Sequence, residues 1–197
     1  MAWEKEYWAV RCGYEALEGR VEDVPDLGLA IVRPPEPLHY YSTFSRTKSS
    51  DILVTIYPGG RYEVEAKYTQ YVSFHSRPVW PRLDFGPLAK VLNELEGTYC
   101  SRPGLIWGSD RLVYTGPLLR LDRSGQKLST VQKYGHATDR PIYASGIPEE
   151  VFVNTVLSFM RFGLGGLEPK CGGWSWEELQ AVNQGIGWEE WKASLKS

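Results

Sequence analysis

Apolar residues along this chain recur with a period near 3.6 in some stretches and near two in others, and each change of period marks an expected element. In "WEKEYWAVRCGYEAL", residues 3–17, Trp3, Tyr7, Val10 and Tyr14 stand close to helical spacing, so a helix is expected although Gly13 weakens it. "LGLAIV", 27–32, is a short apolar run closed by "RPPEP", whose prolines cannot continue a ladder and so end a strand. "STFSRTKSSD" then reads as a polar loop. The period of two is clearest in "DILVTIYPGGRYEVEAKYTQYVSF", 51–74. There Ile52, Val54 and Ile56 alternate with Leu53, Thr55 and Tyr57, and after Pro-Gly-Gly the residues Tyr62, Val64, Ala66 and Tyr68 share one face. Glu63, Glu65, Lys67 and Thr69 share the other, which predicts a hairpin with one buried side.

Helical spacing returns in "DFGPLAKVLNELEG", with Asp84 as cap, Pro87 in the first turn, Leu88, Val91, Leu92 and Leu95 as the apolar stripe and Gly97 as the stop. From 104 to 145 short apolar runs alternate with the turns "GSD" and "DRSG", the pattern of an antiparallel meander. "PEEVFVNTVLSFMRFG" predicts a helix over 148–162 in which Glu150, Asn154, Ser158 and Arg161 form a narrow polar stripe, so the rest should be buried. A capping box in "SWEE" opens a further helix over 175–184, and a short one follows over 188–196. The fold class expected is α+β: a mainly antiparallel sheet, made of hairpin 51–74 and meander 104–145, with helices 85–96 and 148–162 packed on it and short C-terminal helices. With no linker or repeat in view, 1–197 reads as a single domain.

Composition narrows the function. A net charge of -2 argues against coating nucleic acid, because affinity for a phosphate backbone needs many neutralising Lys and Arg. Eight Trp and 12 Tyr are many for 197 residues, and aromatics dominate binding surfaces as well as cores, so a ligand or partner face is favoured. Cys12, Cys100 and Cys171 are an odd, widely spaced set that reads as reduced thiols. "MAWEKEYWAV" lacks the basic-then-apolar pattern of a leader, and no apolar run reaches about 18 residues. A cytoplasmic chain with no membrane partner is therefore expected.

Read in order, the first half is helix, strand, strand, strand, helix, strand. This order is similar to the core of the PD-(D/E)xK nucleases, and Glu65-Ala66-Lys67 supplies an acid-x-Lys on the second hairpin strand, with Asp51 opening the first. The resemblance covers roughly residues 1–110. It implies that Asp51 and Glu65 hold Mg²⁺, a cofactor expected only under this resemblance, and that Lys67 orients a water or steadies developing phosphorane charge. A hairpin closed symmetrically over Pro58–Arg61 would bring Asp51 close to Lys67.

A second constellation is Arg-Pro, which occurs at Arg33-Pro34, Arg77-Pro78, Arg102-Pro103 and Arg140-Pro141. Thirteen Arg and 13 Pro predict about one such pair by chance, so four is an excess. Proline holds the preceding residue extended, and each guanidinium is a preset fork suited to phosphate or carboxylate. His75 and His136 stand close to two of these pairs, so Arg33, His75, Arg77, Arg102, His136 and Arg140 are the expected ligand-binding rim. His39, His75 and His136 lack the spacing of a zinc site, and neither a nucleophile elbow nor a phosphate-cradling glycine loop is present. Two function classes stay open. One is an Arg/aromatic site for a phosphate-bearing ligand, nucleic acid or nucleotide, with or without Mg²⁺-dependent phosphodiester cleavage. The other is a protein-interaction module that uses exposed Trp and Tyr and has no chemistry of its own.

Overall fold

A computed structural model describes residues 2–47, 50, 52–66, 85–108, 117–123 and 141–163. The chain is α+β. In order it forms α1 (Ala2–Ala16), β1 (Val21–Val24), a 3-10 turn (Pro25–Leu27), β2 (Leu29–Val32), α2 (Tyr40–Arg46), β3 (Ile52–Tyr57) and β4 (Arg61–Ala66). After these come α3 (Gly86–Tyr99), β5 (Leu105–Gly108), β6 (Leu118–Leu121) and α4 (Glu149–Gly163).

One sheet has the order β1-β2-β3-β4, and a second pairs β5 with β6. The pairings β1–β2, β3–β4 and β5–β6 are antiparallel, whereas β2–β3 is parallel. The parallel pair arises because α2 carries the chain back between the two strands, where the sequence pattern predicts a polar loop. Seven residues, "YYSTFSR", are too few to show a helical period, and the start is fixed locally: His39 Nδ1 accepts the Tyr41 amide at 3.4 Å. β1 gave no apolar signal either, since Glu22 and Asp23 are exposed and only one side of the strand is paired.

β2 is buried at all four positions and β3 at five of six, because apolar layers lie on both sides of the sheet. On one side Leu29, Ile31, Ile52, Val54, Ile56, Tyr62 and Val64 pack with Leu88, Val91 and Leu92 of α3 and Phe152, Val156, Phe159 and Met160 of α4. Trp107 and Leu119 of the second sheet close this core, and Phe152 stacks on both Tyr62 and Trp107. Each such side chain stabilises by about 2 kcal/mol on burial. On the other side Ala30, Val32 and Leu53 meet Leu17, Leu38 and Phe44, from the end of α1 and from α2 with its approach. Strands covered on both faces read as continuous apolar runs, which accounts for "LAIV" and "ILVTIY".

The 148–162 helix is α4, with Glu150, Asn154 and Arg161 exposed as its polar stripe requires. The 85–96 helix is α3, displaced at both ends. Its cap position falls on Phe85, so Asp84 does not hold that place and lies outside the described residues. Gly97 does not stop it, because the last turn is anchored from outside by the Glu96 carboxylate and the Cys100 amide bonds back to the Glu96 carbonyl. The remainder of the expected hairpin and meander, Cys171 and the C-terminal helices lie outside the described residues. Among the described residues no helix is long and apolar enough to cross a membrane.

Candidate functional site

Of the expected rim, Arg33 and Arg102 are described, and both are bound by carboxylates. Arg33, just beyond β2, donates through Nε to Glu149 at 2.7 Å and through Nη1 to Glu22 at 3.1 Å. The bond to Glu149 is the chief reason its pKa stands above the ordinary value, with burial opposing and Glu22 adding. Arg102 donates to Glu96 at 3.0 Å and to the Ala144 carbonyl. Both arginines thus fasten residues 144–149, the strap that enters α4. His75, Arg77, His136 and Arg140 lie outside the described residues, as do Asp51 and Lys67. Glu65 is placed in β4 opposite Leu53, and Tyr57 pairs with Arg61 as Ile52 does with Ala66, so the hairpin closes symmetrically. His39 is spent on capping α2, with Glu6 at 3.7 Å from its Nε2. Among the described residues no group of three metal-ligating side chains comes together.

Glu96 is the charged residue most completely enclosed among the described residues. Its Oε1 accepts from Arg102 and, at 2.8 Å, from the Gly146 amide; Oε2 accepts from the Ser145 hydroxyl at 2.6 Å and from Trp107 Nε1 at 3.3 Å. Burial pushes its pKa up, but these four donors outweigh burial and hold it below the usual carboxylate range. Asn93, one turn earlier, brackets the Trp107 backbone by accepting its amide and donating to its carbonyl, which ties β5 to α3. The sequence did carry a signal for Glu96: it follows Leu88 and Leu92 at intervals of four on the buried line of α3.

A different cluster stands where the hairpin meets β6. Arg61 lays its guanidinium over the Tyr57 ring, 4.3 Å from the centroid. Glu63, opposite Thr55, receives a hydrogen bond from the Tyr57 hydroxyl and the fields of Arg61 and of Arg120 from β6. Burial nonetheless dominates and raises the Glu63 pKa. The pattern of alternation had assigned Glu63 to a merely solvated face; it is half-buried, with Arg120 of β6 near enough to act on it.

α1 presents the third feature. Trp3, Tyr7, Trp8 and Tyr14 are 67%, 54%, 53% and 38% exposed, although three of them make the stripe from which the helix was read. The helix docks instead through Gly13, its one buried residue, against Ser42 of α2. Arg11 lies over the Trp8 ring at 5.5 Å and Arg46 of α2 over the Tyr14 ring at 4.8 Å, while Tyr7 meets Trp8 edge-on at 5.6 Å. The aromatics are therefore held as an ordered surface rather than splayed singly.

A family profile matches residues 1–171, and the chain belongs to that family, the family of unknown function DUF6687. No curated protein and no solved structure matches it.

Proposed function

We propose that the protein is an interaction module that presents the aromatic face of α1 to a protein partner. The observation that carries this reading is the exposure of Trp3, Tyr7, Trp8 and Tyr14 on one helix. Large aromatics in water cost solvation that a partner's surface recovers, and their few rotamers make them efficient contacts. Charge favours a protein over a phosphate backbone here: the helix carries Glu4, Lys5, Glu6, Arg11 and Glu15, so no cationic excess accompanies the rings. A photo-crosslinker at Tyr7 should capture a discrete protein, whereas one at the exposed Glu94 of α3 should not. Capture should change little from about 50 to 500 mM salt, and Trp3→Ser with Trp8→Ser should abolish it. Equal capture from both positions, or loss of capture with salt, would count against the reading.

A second reading, a phosphate-bearing ligand with Mg²⁺-dependent phosphodiester cleavage at Asp51, Glu65 and Lys67, is favoured by the symmetric closure of the β3–β4 hairpin. Under it, Mg²⁺-dependent cleavage of a labelled oligonucleotide disappears in Lys67→Ala while the circular dichroism spectrum is unchanged; activity retained in that variant would remove the reading.

A further inference from the structure

From Ala2 to Ala9 every residue of α1 is exposed; the helix is docked further along, where Gly13 meets Ser42 and the Val10 carbonyl accepts the Ser42 hydroxyl. A helix of 15 residues is marginal in water on its own, so a stretch with water on all sides gains from a partner. Trp3, Tyr7, Val10 and Tyr14 are spaced four, three and four, which is the heptad spacing of a two-helix seam rather than the broader stripe of a helix lying on a core. The three aromatics of this seam are exposed and Val10 is partly so. Glu4 and Arg11, one heptad apart, border the seam on its open edge, while Glu6 and Gly13 border it on the edge turned to α2. Trp8 follows Tyr7 by about 100° round the helix and stands off the seam.

We propose that the occupant of this seam is the same seam of a second copy, run antiparallel across a two-fold axis that passes between Trp8 and Ala9. This assignment rests on α1 being a protein-binding face and names the partner. Pairing about that axis sets Trp3 against the partner's Tyr14 and Tyr7 against the partner's Val10, and the symmetry repeats both, so all four positions meet an apolar counterpart. The charges match as well. Glu4 comes level with the partner's Arg11 to within about 3 Å along the axis, twice by symmetry, whereas a parallel pair would set Glu4 beside Glu4 and Arg11 beside Arg11. Arg11 bonds Glu15 at 3.1 Å, but both side chains are exposed; such a pair is weak, and a guanidinium has N–H groups for two carboxylates. Four seam residues and one charge pair per copy are fewer than the roughly 20–30 residues a side of a standard interface. The helix is already formed, so little ordering is required, and a dissociation constant of roughly 10–100 µM is expected.

Sedimentation equilibrium of the full chain, in about 50 mM salt so that charges are weakly screened, should show a monomer–dimer equilibrium in that range. Trp3→Ser and Tyr7→Ser should each weaken dimerisation about tenfold, whereas Trp8→Ser should change it less than about twofold. Glu4→Arg and Arg11→Glu should each weaken self-association about fivefold, because each sets like charges together twice, and an equimolar mixture of the two should regain the wild-type affinity. That recovery cannot arise within one helix, since the two positions are about 10 Å apart along it. Circular dichroism checks that the variants remain folded. A wild type that stays monomeric at about 1 mM overturns the proposal, as does a dimer that Trp3→Ser and Tyr7→Ser leave intact, or a mixture of the charge variants that shows no recovery. The photo-crosslinker at Tyr7 tells this failure from failure of the interaction module itself. Capture of a second copy, joined near Val10, supports the proposal; capture of a different protein and not of this chain overturns it and leaves the module standing; no capture removes both.

Discussion

Glu96 lies in the last turn of α3, where the helix's own carbonyls repel a negative charge, and yet its carboxylate gathers four donors. It joins the end of α3, the indole of β5 and the strap at 145–146, so its bonds join segments far apart in sequence. Glu96→Gln would keep the shape but set an amide N–H against at least two of those donors. The expected cost is about 3 kcal/mol, read by chemical denaturation near pH 7. The pH dependence follows from the sign of the shift. A carboxylate whose folded pKa lies below its unfolded value contributes stability above the unfolded value and loses it as pH falls through the folded one. The wild type should therefore lose stability on acidification below about pH 4.5, and Glu96→Gln should lose visibly less over the same range. Identical acid titrations of the two proteins would show that Glu96 contributes no such linkage. The placement of Glu96 was legible, since intervals of four from Leu88 put it on the core side. Its partners were not, because Ser145 and Gly146 come from about 50 residues away and no local pattern encodes that distance.

At the scale of elements, Gly13 changed meaning. In the sequence it weakens a helix, and replacing it with Ala should by propensity alone gain roughly 1 kcal/mol. In the fold it is the point where α1 crosses α2, and an added Cβ would lie 2.4 Å from Ser42 Oγ and 2.9 Å from its Cβ. Ser42 cannot simply rotate away without losing its 2.8 Å hydrogen bond to the Val10 carbonyl. Gly13→Ala is therefore expected to destabilise by about 1–3 kcal/mol, with Ser42→Gly in the same chain recovering part of the loss. A midpoint of urea unfolding that rises in Gly13→Ala would show that propensity, not the crossing, governs this position. Local pattern found α1, α3, α4 and the β3–β4 hairpin by their period, and β2, β5 and β6 as short apolar runs. It missed α2, whose seven residues are too few to display a period, and β1, whose "VEDV" offers no apolar run, because tertiary partners, not propensity, hold them.

Taken as a whole, the molecule spends on itself much of what looked reserved for a ligand. Arg-Pro pairs were read as preset forks for phosphate or carboxylate, and at the two that are described, Arg33 and Arg102, the guanidinium meets carboxylates of this chain. The acceptors are Glu22, Glu149 and Glu96 of the same chain, so these two arginines fasten the strap between the second sheet and α4. Sequence alone could not distinguish the two outcomes, since a fork for an external phosphate and a fork for an internal carboxylate need the same residue in the same extended backbone. Surface chemistry then has to be sought where the fold leaves interactions incomplete. Among the described residues the face of α1 meets that condition. α1 spends one glycine on docking and leaves four aromatics in water. An aromatic face recovers solvation free energy from a partner's apolar surface and responds weakly to salt. Phosphate binding, by contrast, weakens steeply as salt rises, so ionic strength separates the two readings of the function in the intact chain without any substitution.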